Sequence, residues 1–152
     1  SADYYCMDGT IPRRAIGAML EAIREMESRY GLRCLNVFHA GDGNLHPLIL
    51  FDANVPGEWE RAEAFGAEIL ERSVALGGTI TGEHGVGVEK INQMCVQFTP
   101  EEREAFFQIK AAFDPDGVLN PGKVIPTLHR CAEYGKMRVS GGALPFPDLP
   151  RF

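Results

Sequence analysis

A chain of 152 residues fits one domain, long enough to bury roughly two-thirds of the surface that its unfolded form exposes. Its net charge of −6 argues against general binding to nucleic acid, which needs clustered Lys and Arg, and no apolar run approaches the ~20 residues that span a bilayer. The cysteines Cys6, Cys34, Cys95 and Cys131 lie far apart without a C-x-x-C pair, so zinc-ribbon and thioredoxin-type readings lack their spacing and free thiols in a reducing cytoplasm are the expectation.

The chain opens at Ser1 within what reads as an element, as a segment of a longer protein would, with Ser1 itself a candidate tag remnant. Tyr4, Tyr5, Cys6 and Met7 favour a short strand that ends near Gly9. Pro12 then suits a first helical position, and Ile16, Met19, Ile23, Met26 and Tyr30 recur at helical spacing until Gly31. Residues 32–39 and 45–51 read as two strands around Asp42-Gly43, the dipeptide that tight two-residue hairpin turns prefer. With Asp42-Gly43 as the turn, His39 faces His46 across the ladder, and directly opposed side chains share a face about 5 Å apart. Two imidazoles so placed can hold a metal ion or simply pack on one another.

A second helix over residues 57–76 carries Trp59, Ala62, Phe65, Ile69 and Ser73 along one face and is stopped by Gly77-Gly78. Thr79 to Thr81 reads as a short strand leading into Gly82-Glu83-His84-Gly85-Val86-Gly87. The order strand, helix, strand, strand, helix, strand predicts an α+β fold: a ferredoxin-like split βαββαβ antiparallel sheet with both helices on one face. Thr99-Pro100-Glu101-Glu102 is a capping box that opens a further helix through about Phe113, and Asp114-Pro115-Asp116-Gly117 ends it. The domain is expected over residues 1–126 and an irregular, Pro- and Gly-bearing tail over 127–152; His129 and Cys131 in it lack partners at ligand spacing.

Glu83 and His84 are ionisable neighbours between glycines, on a segment that this topology brings to the sheet of the hairpin. Two His and one carboxylate leave coordination positions open, as catalytic divalent sites do, whereas structural sites are usually closed by four protein ligands. Taken singly, Glu83 reads as a surface charge and His84 as a loop residue; together with His39 and His46 they favour a metal. Gly41-Asp42-Gly43-Asn44 lacks the lysine and following helix of a phosphate loop, and the glycines at 82, 85 and 87 have the wrong order for a dinucleotide fingerprint.

Three motifs, His39-Ala-Gly-Asp-Gly-Asn-Leu-His46, Gly78-Thr-Ile-Thr-Gly-Glu83-His84-Gly-Val-Gly and Phe113-Asp-Pro-Asp-Gly-Val-Leu-Asn120-Pro-Gly-Lys123, resemble the C-terminal domain of FAD-linked 2-hydroxyacid oxidoreductases. Bacterial glycolate oxidase, through its D subunit, shows the strongest likeness, and D-lactate and D-2-hydroxyglutarate dehydrogenases are relatives. The resemblance implies that His39, His46 and Glu83 ligate a divalent ion, zinc foremost, that His84 is the general base, and that Asn120 lies near a flavin. It also implies FAD held mainly by an N-terminal domain absent from this chain, glycolate or a D-2-hydroxyacid such as D-lactate as substrate, and docking to other oxidase subunits, an iron-sulfur subunit among them. A cytoplasmic location follows, peripheral to the inner membrane through those partners, and the isolated chain is expected to be inactive. Arg13 or Arg14 is a candidate for holding the substrate carboxylate, a solvated charge at a helix start being the alternative. Leu48 stands where a relative that handles D-2-hydroxyglutarate has Asn, which weakens the case for a dicarboxylate. A subunit-docking module is the second reading and a metal hydrolase the third, the latter without the H-E-x-x-H helix. The face expected to meet the flavin domain is also available for a homodimer of the chain alone.

Overall fold

The computed structural model describes residues 3–126. The tail expected over 127–152, with His129 and Cys131, lies outside the described residues. The fold is a mixed α+β arrangement: an antiparallel sheet of β1 (Asp3–Cys6), β2 (Gly9–Thr10), β3 (Arg33–His39) and β4 (Asn44–Phe51), packed on one face by α1 (Ile16–Tyr30) and α2 (Glu58–Ala75).

Strand β4 is the centre, with β3 along one side and β1 and β2 in line along the other. The break between β1 and β2 has a covalent cause. Met7 N–H donates to the Pro47 carbonyl at 3.1 Å, but proline has no N–H to return, so the ladder lapses beside it. The register is the same on both sides, Cys6 with Leu48 and Gly9 with Leu45, which puts Asp8 opposite His46.

Strand alternation separates the two faces of the sheet. Leu45, Ile49 and Phe51 point into the core with Cys34, where Met19, Ile23 and Met26 of α1 meet Ala62, Phe65 and Ile69 of α2. Phe65 stacks on Tyr30 with ring centroids 5.2 Å apart. Asn44, His46, Leu48 and Leu50 share the opposite face with Leu35, Val37 and His39 of β3, and no helix covers it among the described residues. Trp59 is not core as its place in the α2 stripe predicts; 42% exposed, it lies edge-on to Tyr5.

The hairpin register corrects the sequence reading. His39 pairs with Asn44 and Val37 with His46, around a four-residue turn, Ala40 to Gly43. A two-residue turn needs positive φ at Asp42 and Gly43 together, whereas here Gly43 alone adopts it, at 76°. Gly43 is also pinned to the chain before α1: its carbonyl accepts from Ile11 N–H at 2.9 Å, and a Cβ on it would lie 2.1 Å from the Ile11 carbonyl oxygen. The register moves by two residues, not one, so the two histidines keep a common face as diagonal neighbours.

A second correction concerns the strand expected over Thr79–Thr81. It is reduced to one antiparallel bridge between Thr10 and Thr79, because from Thr81 onward the chain turns its hydrogen bonds to Asp8. Residues 82–93 then carry no helix or strand, and the short α3 (Met94–Gln97) was not legible beforehand. Helix α4 (Pro100–Phe113) starts on the expected capping box: Thr99 Oγ1 accepts from Glu102 N–H at 3.2 Å and Glu102 Oε2 from Thr99 N–H at 2.8 Å. It buries none of its residues and leaves Phe107, Ile109 and Phe113 exposed. Cys6 and Cys34 are free, burial and the nearby Glu27 pushing the Cys34 thiol up to about 12; Cys95 is disulfide-bonded, against the free-thiol expectation. No helix among the described residues is long and apolar enough to cross a membrane.

Two stability changes follow. Phe65→Ala removes a ring with 0% exposure between α1 and α2 and lowers unfolding free energy by about 3–5 kcal/mol in a urea titration; a loss under about 1 kcal/mol contradicts this core assignment. Thr99→Ala removes a cap worth about 1 kcal/mol from a helix with no buried residue. Hydrogen exchange should therefore accelerate in α4 while the global unfolding midpoint stays in place, and an equal shift in both would contradict the account.

Candidate metal centre

Three of the four histidines in the chain come together at one end of the open sheet face. β3 supplies His39 at its last residue and β4 supplies His46 two residues after its start. Their rings lie 5.3 Å apart and nearly perpendicular, while His84, arriving on the turn after Thr81, stacks on His46 at 5.2 Å. Glu83 reaches between the two strands. Its Oε1 is 2.7 Å from His46 Nε2 and 3.7 Å from His39 Nε2. His46 is mostly buried, with 12% of its side chain exposed, whereas His39 and Glu83 are more than half exposed and open the cluster to solvent.

These atoms fit a small divalent cation. Zn–N and Zn–O bonds of about 2.0–2.2 Å place tetrahedral ligand atoms about 3.3 Å apart. The two Nε2-to-Oε1 separations, 2.7 and 3.7 Å, bracket that value, and a donor set of two neutral imidazoles with one carboxylate suits zinc or a related ion.

Asp8, His46, Glu83 and His84 also each offer one ligand atom within 4.8 Å of the others, a grouping that contains Asp8 in place of His39. The hydrogen bonds at Asp8 argue for His39 as the ligand. Asp8 Oδ2 accepts from Thr81 Oγ1 at 2.6 Å and from the backbone N–H groups of Gly82, Glu83 and His84 at 3.0, 3.2 and 2.8 Å. Lys90 Nζ, itself buried, completes the set at 3.2 Å. Oδ2 so engaged has no lone pair to spare for an ion, which leaves Oδ1, with one long contact from Glu83 N–H at 3.3 Å, as the Asp8 oxygen with acceptor capacity. Burial raises the Asp8 carboxyl, but the Thr81 hydroxyl, the His84 and Glu83 amides and the Lys90 ammonium outweigh it and hold the group well below the usual carboxylate range. Asp8 is ionised at neutral pH.

Around this core, Thr10 Oγ1 donates to Asn44 Oδ1 at 3.2 Å, and Asn44 Nδ2 lies 3.5 Å from His46 Nε2. Gly82 rests directly on this pair: a Cβ there would come within 2.3 Å of Thr10 Oγ1 and 2.7 Å of Asn44 Oδ1. The glycine before Glu83 is thus required by close approach.

Of the residues singled out from sequence, His39, His46, Glu83 and His84 gather at this site. Arg13 does not join them by any contact, although its backbone lies beside the hairpin turn, its N atom 3.7 Å from where a Gly43 Cβ would be. Asn120, with φ of 45°, lies in the exposed segment after α4; that segment approaches the Glu83 turn through Val124 N–H, which donates to the Gly87 carbonyl at 2.9 Å. Asp8 and Lys90 were missed. The one signal for Asp8 was an acidic residue closing an apolar run, and nothing in the sequence around Lys90 marks it as buried.

The family model described as FAD linked oxidases, C-terminal domain, matches residues 1–124. The chain is 66% identical over 152 residues to the glycolate oxidase subunit GlcD of Escherichia coli K12, which covers 100% of this chain and 30% of that protein. It is 45% identical over 117 residues to GlcD of Bacillus subtilis, covering 77% of the chain and 25% of the relative, and 38% identical over 125 residues to the D-lactate dehydrogenase of Archaeoglobus fulgidus, covering 80% and 27%. The chain therefore spans less than a third of the length of these relatives. Among solved structures, 4-ethylphenol oxidase from Gulosibacter chungangensis in its isoeugenol complex shares the fold, with a TM-score of 0.59 at 17% identity over 85% of this chain and 25% of that one. With its sheet, its histidine cluster and a family model matched along all but its last residues, the chain belongs to the C-terminal domain family of FAD linked oxidases.

Proposed function

We propose that this chain is the substrate- and metal-binding part of a flavin-dependent 2-hydroxyacid oxidoreductase acting on glycolate or a small D-2-hydroxyacid such as D-lactate. The observation that carries the reading is Glu83 Oε1 set between His46 Nε2 and His39 Nε2, with His84 stacked alongside, on a sheet face open to solvent. The names of the relatives, glycolate oxidase subunit GlcD and D-lactate dehydrogenase, support the substrate class. In this reading FAD is held mainly by a preceding domain of the same polypeptide, and the assembly is cytoplasmic, with further subunits, an iron-sulfur protein among them, as partners. The sheet is read as ferredoxin-like, its fourth strand shrunk to the Thr10–Thr79 bridge.

His39, His46 and Glu83 would hold the divalent ion, zinc foremost, through Nε2, Nε2 and Oε1. The chemistry supplied there is Lewis acidity toward the substrate hydroxyl, and a bound flavin supplies a hydride acceptor. His84 takes the hydroxyl proton while the α-hydrogen leaves with its electron pair, which turns the 2-hydroxyacid into the 2-oxoacid. Arg13, on the strand-to-helix turn at the same end of the sheet, would face the substrate carboxylate, and Asn120 the flavin. A second reading, a docking module for other subunits, has one observation in its favour: the apolar side chains of Phe107, Ile109, Phe113, Val118 and Leu119 exposed on and after α4.

Mass spectrometry of the chelator-stripped chain after zinc addition should find about one ion per chain, and Glu83→Ala should find none. Zinc retained by Glu83→Ala contradicts the ligand set. In the complete flavoprotein, His84→Ala should lower kcat for glycolate or D-lactate by 10²–10⁴-fold, the usual range for a general base, while zinc content stays at one per chain. Turnover undiminished in both His84→Ala and His39→Ala would favour the docking module instead.

A further inference from the structure

Asp8 lies at the break that Pro47 imposes on the edge strand, opposite His46, with 0% exposure. Three successive backbone N–H groups, those of Gly82, Glu83 and His84, converge on its carboxylate, so the turn is wrapped around a buried anion. Thr81 ties the same turn twice: its hydroxyl donates to Asp8 at 2.6 Å and accepts from Gly85 N–H at 2.8 Å. The Asp8 carbonyl accepts from Gly82 N–H at 2.8 Å as well. Lys90, 3% exposed, balances the charge from the far end of the same loop.

We infer that Asp8, paired with Lys90, is a positioning residue that presents Glu83 and His84 to the metal site, so that a carboxylate making no bond to the ion sets the affinity for it. The inference rests on the ligand assignment proposed above. The physical case is one of preorganisation. Glu83 has a half-exposed side chain on a turn outside any helix or strand, and such a turn would otherwise sample many conformations that aim its carboxylate away from His46 and His39. With the backbone N–H of Glu83 and of both its neighbours fixed on one buried oxygen, the ordering is completed during folding and the ion does not have to supply it. Lys90 has a separate part. It cancels the Asp8 charge, so Asp8 contributes geometry without adding a second negative charge to the site.

That division makes the test possible. Asp8→Asn alone leaves Lys90 buried and unpaired, and it risks misfolding. The variant Asp8→Asn/Lys90→Met removes both charges together, and the asparagine amide offers one acceptor and an opposing NH₂ where five donors converge. The full 152-residue chain, its double variant and Phe65→Ala, a core lesion remote from the turn, are titrated with zinc by calorimetry and with cobalt(II) by visible spectroscopy, with circular dichroism as the check on folding. The expected result is a 10–100-fold weaker zinc affinity in the double variant, the size typical for groups that orient metal ligands, with cobalt band positions at saturation unchanged and Phe65→Ala binding like the parent chain. An unchanged affinity in the folded double variant overturns the inference, as does an equal loss in Phe65→Ala. Shifted cobalt bands in the double variant overturn it too, by making Asp8 a direct ligand. If the parent chain itself binds neither ion, it is the metal-site reading that fails.

Discussion

A single buried carboxylate joins the N-terminal strand to the turn that bears Glu83 and His84. Asp8 is able to do so because Pro47 cannot complete the ladder beside it, so the edge strand is released from β4 at the one point where its side chain faces His46. The donors that gather on it are backbone N–H groups of the turn that leaves the sheet after the Thr10–Thr79 bridge. These N–H groups have no sheet partner, and the buried Asp8–Lys90 pair satisfies them in its place.

The two faces of the sheet divide the labour. One is closed by α1 and α2 over Phe65, Ile49 and Met19 and gives β4 its rigidity. The other presents His39, His46 and Asn44 at one end, with Leu35, Val37, Leu48 and Tyr4 along the rest. Side chains rooted in paired strands keep their spacing, so a cluster built on β3 and β4 is better fixed than one built on loops alone. Only the Glu83 side of the site comes from irregular chain, and that is where the extra anchoring is found.

Much of this was legible in the sequence because it rests on local rules. The α1 and α2 faces follow apolar periodicity, and the start of α4 follows the reciprocal Thr99 and Glu102 bonds. The shared face of His39 and His46 survived a wrong register because a shift of two residues conserves strand parity. What escaped depended on distant partners. Asp42-Gly43 has the composition of a two-residue turn, yet the contact of Gly43 with Ile11 selects a longer one. Thr79 to Thr81 has strand propensity, yet Asp8, more than seventy residues earlier, draws its hydrogen bonds away. Lys90 is buried by a charge that no local pattern announces, and Trp59 sits at the helical spacing of the core but covers Tyr5 and Phe51 with one side of its ring exposed.

In the proposed function His39, His46 and Glu83 form one divalent-metal centre. X-ray absorption at the zinc edge of the loaded chain tests it most directly, because imidazole rings leave a distinct multiple-scattering signature. The account predicts a first shell of nitrogen and oxygen at about 2.0–2.2 Å with two imidazoles, falling to one in His39→Ala. A shell containing sulfur, or an imidazole count that His39→Ala leaves unchanged, would contradict it.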